Sequence, residues 1–282
     1  MSRSMPSPER PDRGGAEEYP GFAVSVTAGV LVVRLDRPEA GNALSRRMRE
    51  PMARIWARAN ADDDVRVVLL TGTGDRHFCT GADVKEIAET GEVPSASARR
   101  EPIVWSPLGG GVRKPVVCAV NGVAAGGGLH FVVDSDVVIA AEHAAFMDTH
   151  VSVGQVGAVE NIGLTHRLPF GTAMRMTLQG SSFRLDAARA YALGLVDEVV
   201  PAAELQSTAL HIASCIAANS PRAVELSRAL LWESLGRPPH AAAEEAWRTA
   251  QRHWSHPDFL EGARAFAEKR PPKWTVSVDG ER

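Results

Sequence analysis

Two glycine-rich turns carry the residues best placed for chemistry. Phe78-Cys79-Thr80-Gly81-Ala82-Asp83 follows an apolar stretch and runs into the helix-like segment Asp83 to Glu89. A helix start leaves N–H groups that its own turns cannot bond, at the positive end of the helix dipole. The N–H groups near Ala82 are therefore expected to face outward, where a negatively charged oxygen can rest. Asn121-Gly122-Val123-Ala124-Ala125-Gly126-Gly127-Gly128 ends in consecutive glycines, which let a backbone approach a ligand that any Cβ would push away. A second N–H donor is then available for the same oxygen.

Other chemistries are disfavoured by spacing. No glycine pattern is followed by Lys-Ser or Lys-Thr, and none has the dinucleotide spacing at the first strand-to-helix turn, so no nucleotide cofactor is indicated. The histidines lack HxxxH and HExxH spacing, and Cys79 and Cys118 stand alone beside their strands, so no metal site is expected. A serine nucleophile elbow is absent. Lys and Arg total 31 against 34 Asp and Glu, a formal charge of -3 that would not draw the whole chain onto nucleic acid or an anionic membrane. Cys79, Cys118 and Cys215 are too few for a disulfide framework, which fits a reducing, cytosolic compartment. No run reaches the roughly 18 apolar residues of a membrane-spanning helix, and the polar N-terminus lacks the apolar middle of a secretory signal.

The elements that must position these turns follow from periodicity. Apolar residues from Phe22 to Leu35 around Ala28-Gly29 predict an antiparallel hairpin. Leu44, Met48, Met52, Ile55 and Ala59 predict an amphipathic helix from Leu44 to Ala59, with Pro51 anomalous inside it. Buried strands are expected at Val65 to Leu70, Val116 to Val120 and Val137 to Ala140, separated by helical segments. That alternation predicts an α/β fold with a largely parallel sheet, and such sheets place ligands at the carboxyl ends of their strands. Beyond Asp186 the pattern becomes almost wholly helical, with Pro238-Pro239 separating two helices. The expected divisions are a flexible tail over residues 1–19, a core over 20–200 and a helical region over 201–282.

At these residues the chain resembles the crotonase (enoyl-CoA hydratase/isomerase) superfamily. The matching motifs are Arg37-Pro38, Asn42-Ala43-Leu44, FCTGADVKE, NGVAAGGG, Ala190 with Leu193-Gly194-Leu195-Val196-Asp197, and Glu261-Gly262 with Phe266 to Pro272. The resemblance spans about Phe22 to Trp274. It implies a spiral of ββα units, a C-terminal helical region that trimerises, and an acyl-CoA thioester substrate, with coenzyme A as part of the substrate and no further cofactor. It also implies an oxyanion hole from the N–H groups of Ala82 and Gly127. Arg37, Asp83, Phe266 and Lys269 fall on the CoA side, Phe266 and Lys269 acting on the adenine and 3′-phosphate from an adjacent subunit. Lys269 is equally readable as a solvated helix charge. A homotrimer or dimer of trimers follows, with no nucleic-acid or membrane partner.

The family pattern breaks at its acid–base pair. Hydratases place one glutamate two residues after the glycine triplet and another four residues after the Phe of the next strand. Here these positions are His130 and His150. Imidazole titrates near ~6.5 when unperturbed and can exchange protons at neutral pH, so both histidines are candidates for the chemistry. Glu160 is a candidate base, with Asn161 fitting the register of isomerase relatives slightly better, in a Gly154 to Gly163 loop longer than in hydratases. Asp148, two residues before His150 on an extended chain, is expected to orient that imidazole. The functions left open are hydration or isomerisation of an enoyl-CoA, hydrolysis of a C–C or thioester bond, and acyl-CoA binding without turnover.

Overall fold

The computed structural model describes residues 18–92 and 104–275. Strands β1 (Phe22–Thr27) and β2 (Val30–Leu35) form the expected hairpin, paired antiparallel from Phe22 opposite Leu35 to Thr27 opposite Val30. Its turn is left-handed at both residues, Ala28 at φ 48° and Gly29 at φ 80°, the backbone that suits the twist of a tight hairpin.

The helix expected from Leu44 starts later. A 3-10 turn spans Arg46–Met48, and α1 spans Arg49–Ala61. Pro51 thereby falls in the first turn, where its missing N–H would have had no partner. Met52, Ile55, Trp56 and Ala59 form the buried stripe of this helix. Leu44 is left outside it and makes a parallel bridge with Ala82.

The core then repeats one unit. First come β3 (Val67–Gly72), β4 (His77–Cys79) and α2 (Val84–Thr90), then β5 (Val116–Val120), β6 (Val123–Ala125) and α3 (Leu129–Val133). The third unit is β7 (Val137–Ala141), β8 (Ala145–Met147) and α4 (Val159–Arg167). After α5 (Phe170–Gln179) the chain adds β9 (Leu185–Asp186), α6 (Ala187–Leu193) and β10 (Glu198–Val200). The first strand of each unit enters a six-stranded sheet of order β1-β2-β3-β5-β7-β10, and the second enters a four-stranded sheet of order β4-β6-β8-β9. This is the expected crotonase-like spiral of ββα units, its larger sheet parallel from β2 onward. Every residue of β3 and β5 is buried, as a sheet covered on both faces requires.

The helical region consists of α7 (Leu205–Ala217), α8 (Pro221–Ser234), α9 (Pro239–His253) and α10 (Pro257–Ala267). Helix α7 lies across β2, β3, β5 and β7. By contrast, α8 buries no residue, α9 only Thr249, and α10 only Asp258 and Ala265. Tyr19, counted with the tail above, is instead buried in the core with the Arg54 guanidinium 5.1 Å from its ring centre. The rest of the tail expectation falls on residues 1–17, outside the described residues, apart from the described Glu18. Among the described residues no helix is long and apolar enough to cross a membrane.

Candidate active site

The smaller sheet explains why distant residues meet. Strands β4, β6 and β8 are parallel neighbours, with Cys79 paired to Ala124 and Ala125 to Met147. Their carboxyl ends therefore lie at one edge, and the residues just past them, Ala82, Gly127 and His150, leave the sheet side by side. The three-residue strands were too short to show a period of two.

Backbone pairing fixes how Ala82 is presented. Leu44 N–H donates to Gly81 O at 2.8 Å, and Asp83 N–H donates to Leu44 O at 2.9 Å. Successive groups of an extended chain point to opposite sides, so the Ala82 N–H faces away from Leu44. A Cβ placed on Gly127 would lie 3.8 Å from the Ala82 nitrogen. Gly127 is the second residue of the 3-10 turn Gly126–Gly128, where an N–H has no partner in its own helix. The close approach depends on Gly81: at φ +86° its Cβ would sit 2.9 Å from both Ala125 O and the Gly127 nitrogen. The backbones of Ala82 and Gly127 therefore lie close together.

Beside them sits a buried titratable cluster. Gly126 lies against it, a Cβ there falling 3.7 Å from His150 Cε1, at ordinary contact distance. His150 Nε2 is 3.1 Å from Glu160 Oε1, and His130 Nε2 is 3.3 Å from Glu160 Oε2. Both histidines and Glu160 thus form one connected group, with side chains at most 15% exposed. Glu160 comes from the first turn of α4, where the helix dipole favours a carboxylate. The second half of the segment read above as a loop to Gly163 is therefore helix, because α4 already starts at Val159.

Asp148 completes the cluster from beneath. Its side chain is fully buried and its Oδ1 accepts from His150 Nδ1 at 2.6 Å and from the His150 backbone N–H at 3.0 Å. Asn161 Nδ2 donates to Asp148 Oδ2 at 2.7 Å. Burial alone would raise the Asp148 pKa, but the bonds from His150 and Asn161 outweigh it and hold the carboxyl below its usual range. The Asp148 bond raises the His150 pKa against the effect of burial, with Glu160 adding to the rise. His130 moves the other way, lowered by burial that its carboxylate neighbours only partly offset. The two imidazoles of the cluster are thus pushed in opposite directions, His150 toward its charged form and His130 toward its neutral one.

A cleft of about 850 Å³ opens at Ala82, lined among others by Arg37, Arg47, Asp83, Lys85 and Glu86. Arg37 Nη2 is 3.0 Å from Asp83 Oδ2, and Arg37 Nη1 donates to Ala43 O at 2.7 Å. Asp83 also caps α2 by accepting from Lys85 and Glu86 N–H. Arg37 and Asp83 thus shape the cleft wall. Phe266, 88% exposed, and the exposed Lys269 do not line this cleft within the chain. Cys79 is no candidate nucleophile, since burial pushes its thiol up to about 12. Thr177, which accepts from Asn161 Nδ2 at 2.7 Å, was missed from sequence. Its contact depends on how α4 packs on α5, and no local motif announces it.

Three stacked ββα units, with a buried cluster of two histidines and two carboxylates at the strand ends, make this a crotonase fold. Residues 25–277 match the family described as enoyl-CoA hydratase/isomerase. The chain is 33% identical over 263 residues to a carnitinyl-CoA dehydratase of Proteus mirabilis (strain HI4320), covering 89% of this chain and 97% of that one. It is 32% identical over 263 residues to an (E)-benzylidenesuccinyl-CoA hydratase of Thauera aromatica, with coverage of 88% and 96%. A crystal structure of an enoyl-CoA hydratase/isomerase from Mycobacterium paratuberculosis superposes with a TM-score of 0.85 at 36% identity, covering 92% of this chain and all of that one, 100%. The chain belongs to the enoyl-CoA hydratase/isomerase family of acyl-CoA-processing enzymes.

Proposed function

We propose that this chain is an acyl-CoA hydro-lyase, adding water across the Cα=Cβ bond of an enoyl-CoA or removing it in reverse. The observation that carries the reading is Glu160, a carboxylate spanned by the Nε2 atoms of His130 and His150 beside the Ala82 and Gly127 donors. Glu160 takes a proton from water as its oxygen bonds Cβ. The π electrons move toward the thioester oxygen, where the Ala82 and Gly127 N–H groups hold the enolate; each such donor contributes roughly 3 kcal/mol. His150 imidazolium then protonates Cα. Glu160 returns its proton to His150 across their 3.1 Å contact, so the pair ends as it began. His130, neutral, donates from Nε2 to Glu160 and keeps that carboxylate aimed.

The test is incubation of the purified protein with a panel of enoyl-CoA and 3-hydroxyacyl-CoA thioesters, followed by mass spectrometry. Gain or loss of one water with the thioester intact supports the reading, whereas free CoA or a cleaved acyl chain replaces it with the hydrolytic alternative. That second reading draws on the Asp148–His150 pair, an arrangement that also activates water in hydrolases. Binding without any product would leave an acyl-CoA-binding relative.

We place coenzyme A along the Arg37–Asp83 cleft, with Phe266 and Lys269 reaching it from a neighbouring copy. Exposed apolar side chains on Ile162, Phe170 and Leu178 and the thinly buried α8 to α10 support a homotrimer or dimer of trimers. Free cysteines, two of them buried, fit a cytoplasmic setting. Lys269→Ala is expected to weaken CoA-ester binding several-fold and to flatten its salt dependence, because one phosphate contact is lost. Calorimetric titration at two salt concentrations measures both; unchanged values leave Lys269 a surface charge.

A further inference from the structure

We infer that Asn161 is a positioning residue that acts on His150 through Asp148, holding the carboxylate plane so that Oδ1 faces both His150 donors. The inference deepens the function proposed above and rests on His150 as its proton donor. One amide hydrogen of Asn161 goes to Asp148 Oδ2 and the other to Thr177 Oγ1, each at 2.7 Å. The reverse amide orientation would set an oxygen against the Asp148 carboxylate, so the donor role is fixed by its neighbours. Asn161 Oδ1, buried, has no hydrogen-bond partner. The side chain accepts that cost, and Gly157 gives it room: a Cβ there would lie 2.6 Å from Oδ1.

The consequence is geometric. A carboxylate held at Oδ1 only can rotate about its Cβ–Cγ bond, carrying the acceptor away from the imidazole. Held also at Oδ2 by an amide that α5 anchors through Thr177, it cannot. The charged and titratable groups facing His150 are Asp148 below it, Glu160 on α4, and His130 on α3, the last itself influenced by Asp134. Of the contacts to these groups, that from Asn161 to Asp148 ties the pair to a second helix.

The sign of one measurement separates positioning from simple charge stabilisation. If Asn161 merely soothed the Asp148 charge, removing it would leave a stronger acceptor and raise the His150 pKa. If it positions the carboxylate, removing it weakens the bond to Nδ1 and lowers that pKa. Full-length protein labelled with ¹⁵N-histidine, titrated by NMR without ligand and assigned with His150→Gln, gives the value in wild type and Asn161→Ala. The expected result is a lower His150 pKa and, with crotonyl-CoA, a kcat reduced about ten-fold at nearly unchanged KM, since residues that orient an acid–base group typically act at this scale. An unchanged or raised pKa overturns the inference. If that variant does not fold, Thr177→Val, which removes the partner of the second Asn161 amide hydrogen, is titrated in the same way: a lower His150 pKa is expected, and an unchanged or raised one overturns the inference. Failure to turn over any enoyl-CoA would count against the proposed reaction while leaving this NMR result intact.

Discussion

Glu160→Gln should lower kcat by about 10²–10⁴-fold, the range that a positioned general base contributes, while KM changes little. The substitution keeps size and shape. A carboxamide oxygen can still accept from one imidazole, so the packing of α4 is preserved and thermal unfolding should stay near wild type. What is lost is the ability to take a proton from water and hand it to His150 over 3.1 Å. Separate measurement of kcat and KM on a turnover substrate, with circular dichroism as the fold control, tests this. A variant with wild-type kcat would remove Glu160 from the chemistry and return attention to the imidazoles alone.

Much of the frame was legible in the residues. The hairpin turn at Ala28-Gly29, the buried runs at Val116 to Val120 and Val137 to Ala140, and the helical character after Asp186 all register strong local periodicity. The strands β4, β6 and β8 did not, because three residues cannot display alternation, yet their pairing is what lines up the two glycine turns with His150. Sequence placed His130 and His150 at the two glutamate positions of the family and made both candidates for proton exchange. Their meeting on Glu160 depends on where α4 begins, and the rise in the His150 pKa depends on Asp148 lying fully buried beneath it. Leu44 likewise reads as helix by its spacing, whereas tertiary pairing with Ala82 claims it for the edge of the site.

His150→Gln should abolish the basic limb of the pH–rate profile and lower kcat by about 10²-fold or more, the lower end of general acid catalysis. In the proposed reaction Glu160 acts as the base and His150 as the acid. The His150 pKa is raised, first by its bond to Asp148, so the imidazolium persists to higher pH than an unperturbed histidine would allow. Activity is therefore expected to fall as pH rises through that raised pKa. The same shift gives folding a pH signature. A raised folded-state pKa adds stability that is complete below the unfolded value and lost as pH rises through the folded one. Asp148, held low, contributes the opposite way: its stabilisation is present above the unfolded carboxyl pKa and lost as pH falls through the folded one. Gln cannot donate a proton to carbon, so the variant should lose the basic limb, with a melting temperature less sensitive to pH on the alkaline side. Rate profiles and thermal melts across pH 5 to about 9 measure both. Wild-type rates in both His150→Gln and His130→Gln would eliminate imidazole from the reaction. Loss of the acid limb instead of the basic one would make His150 the base and Glu160 its partner, reversing the assignment proposed here.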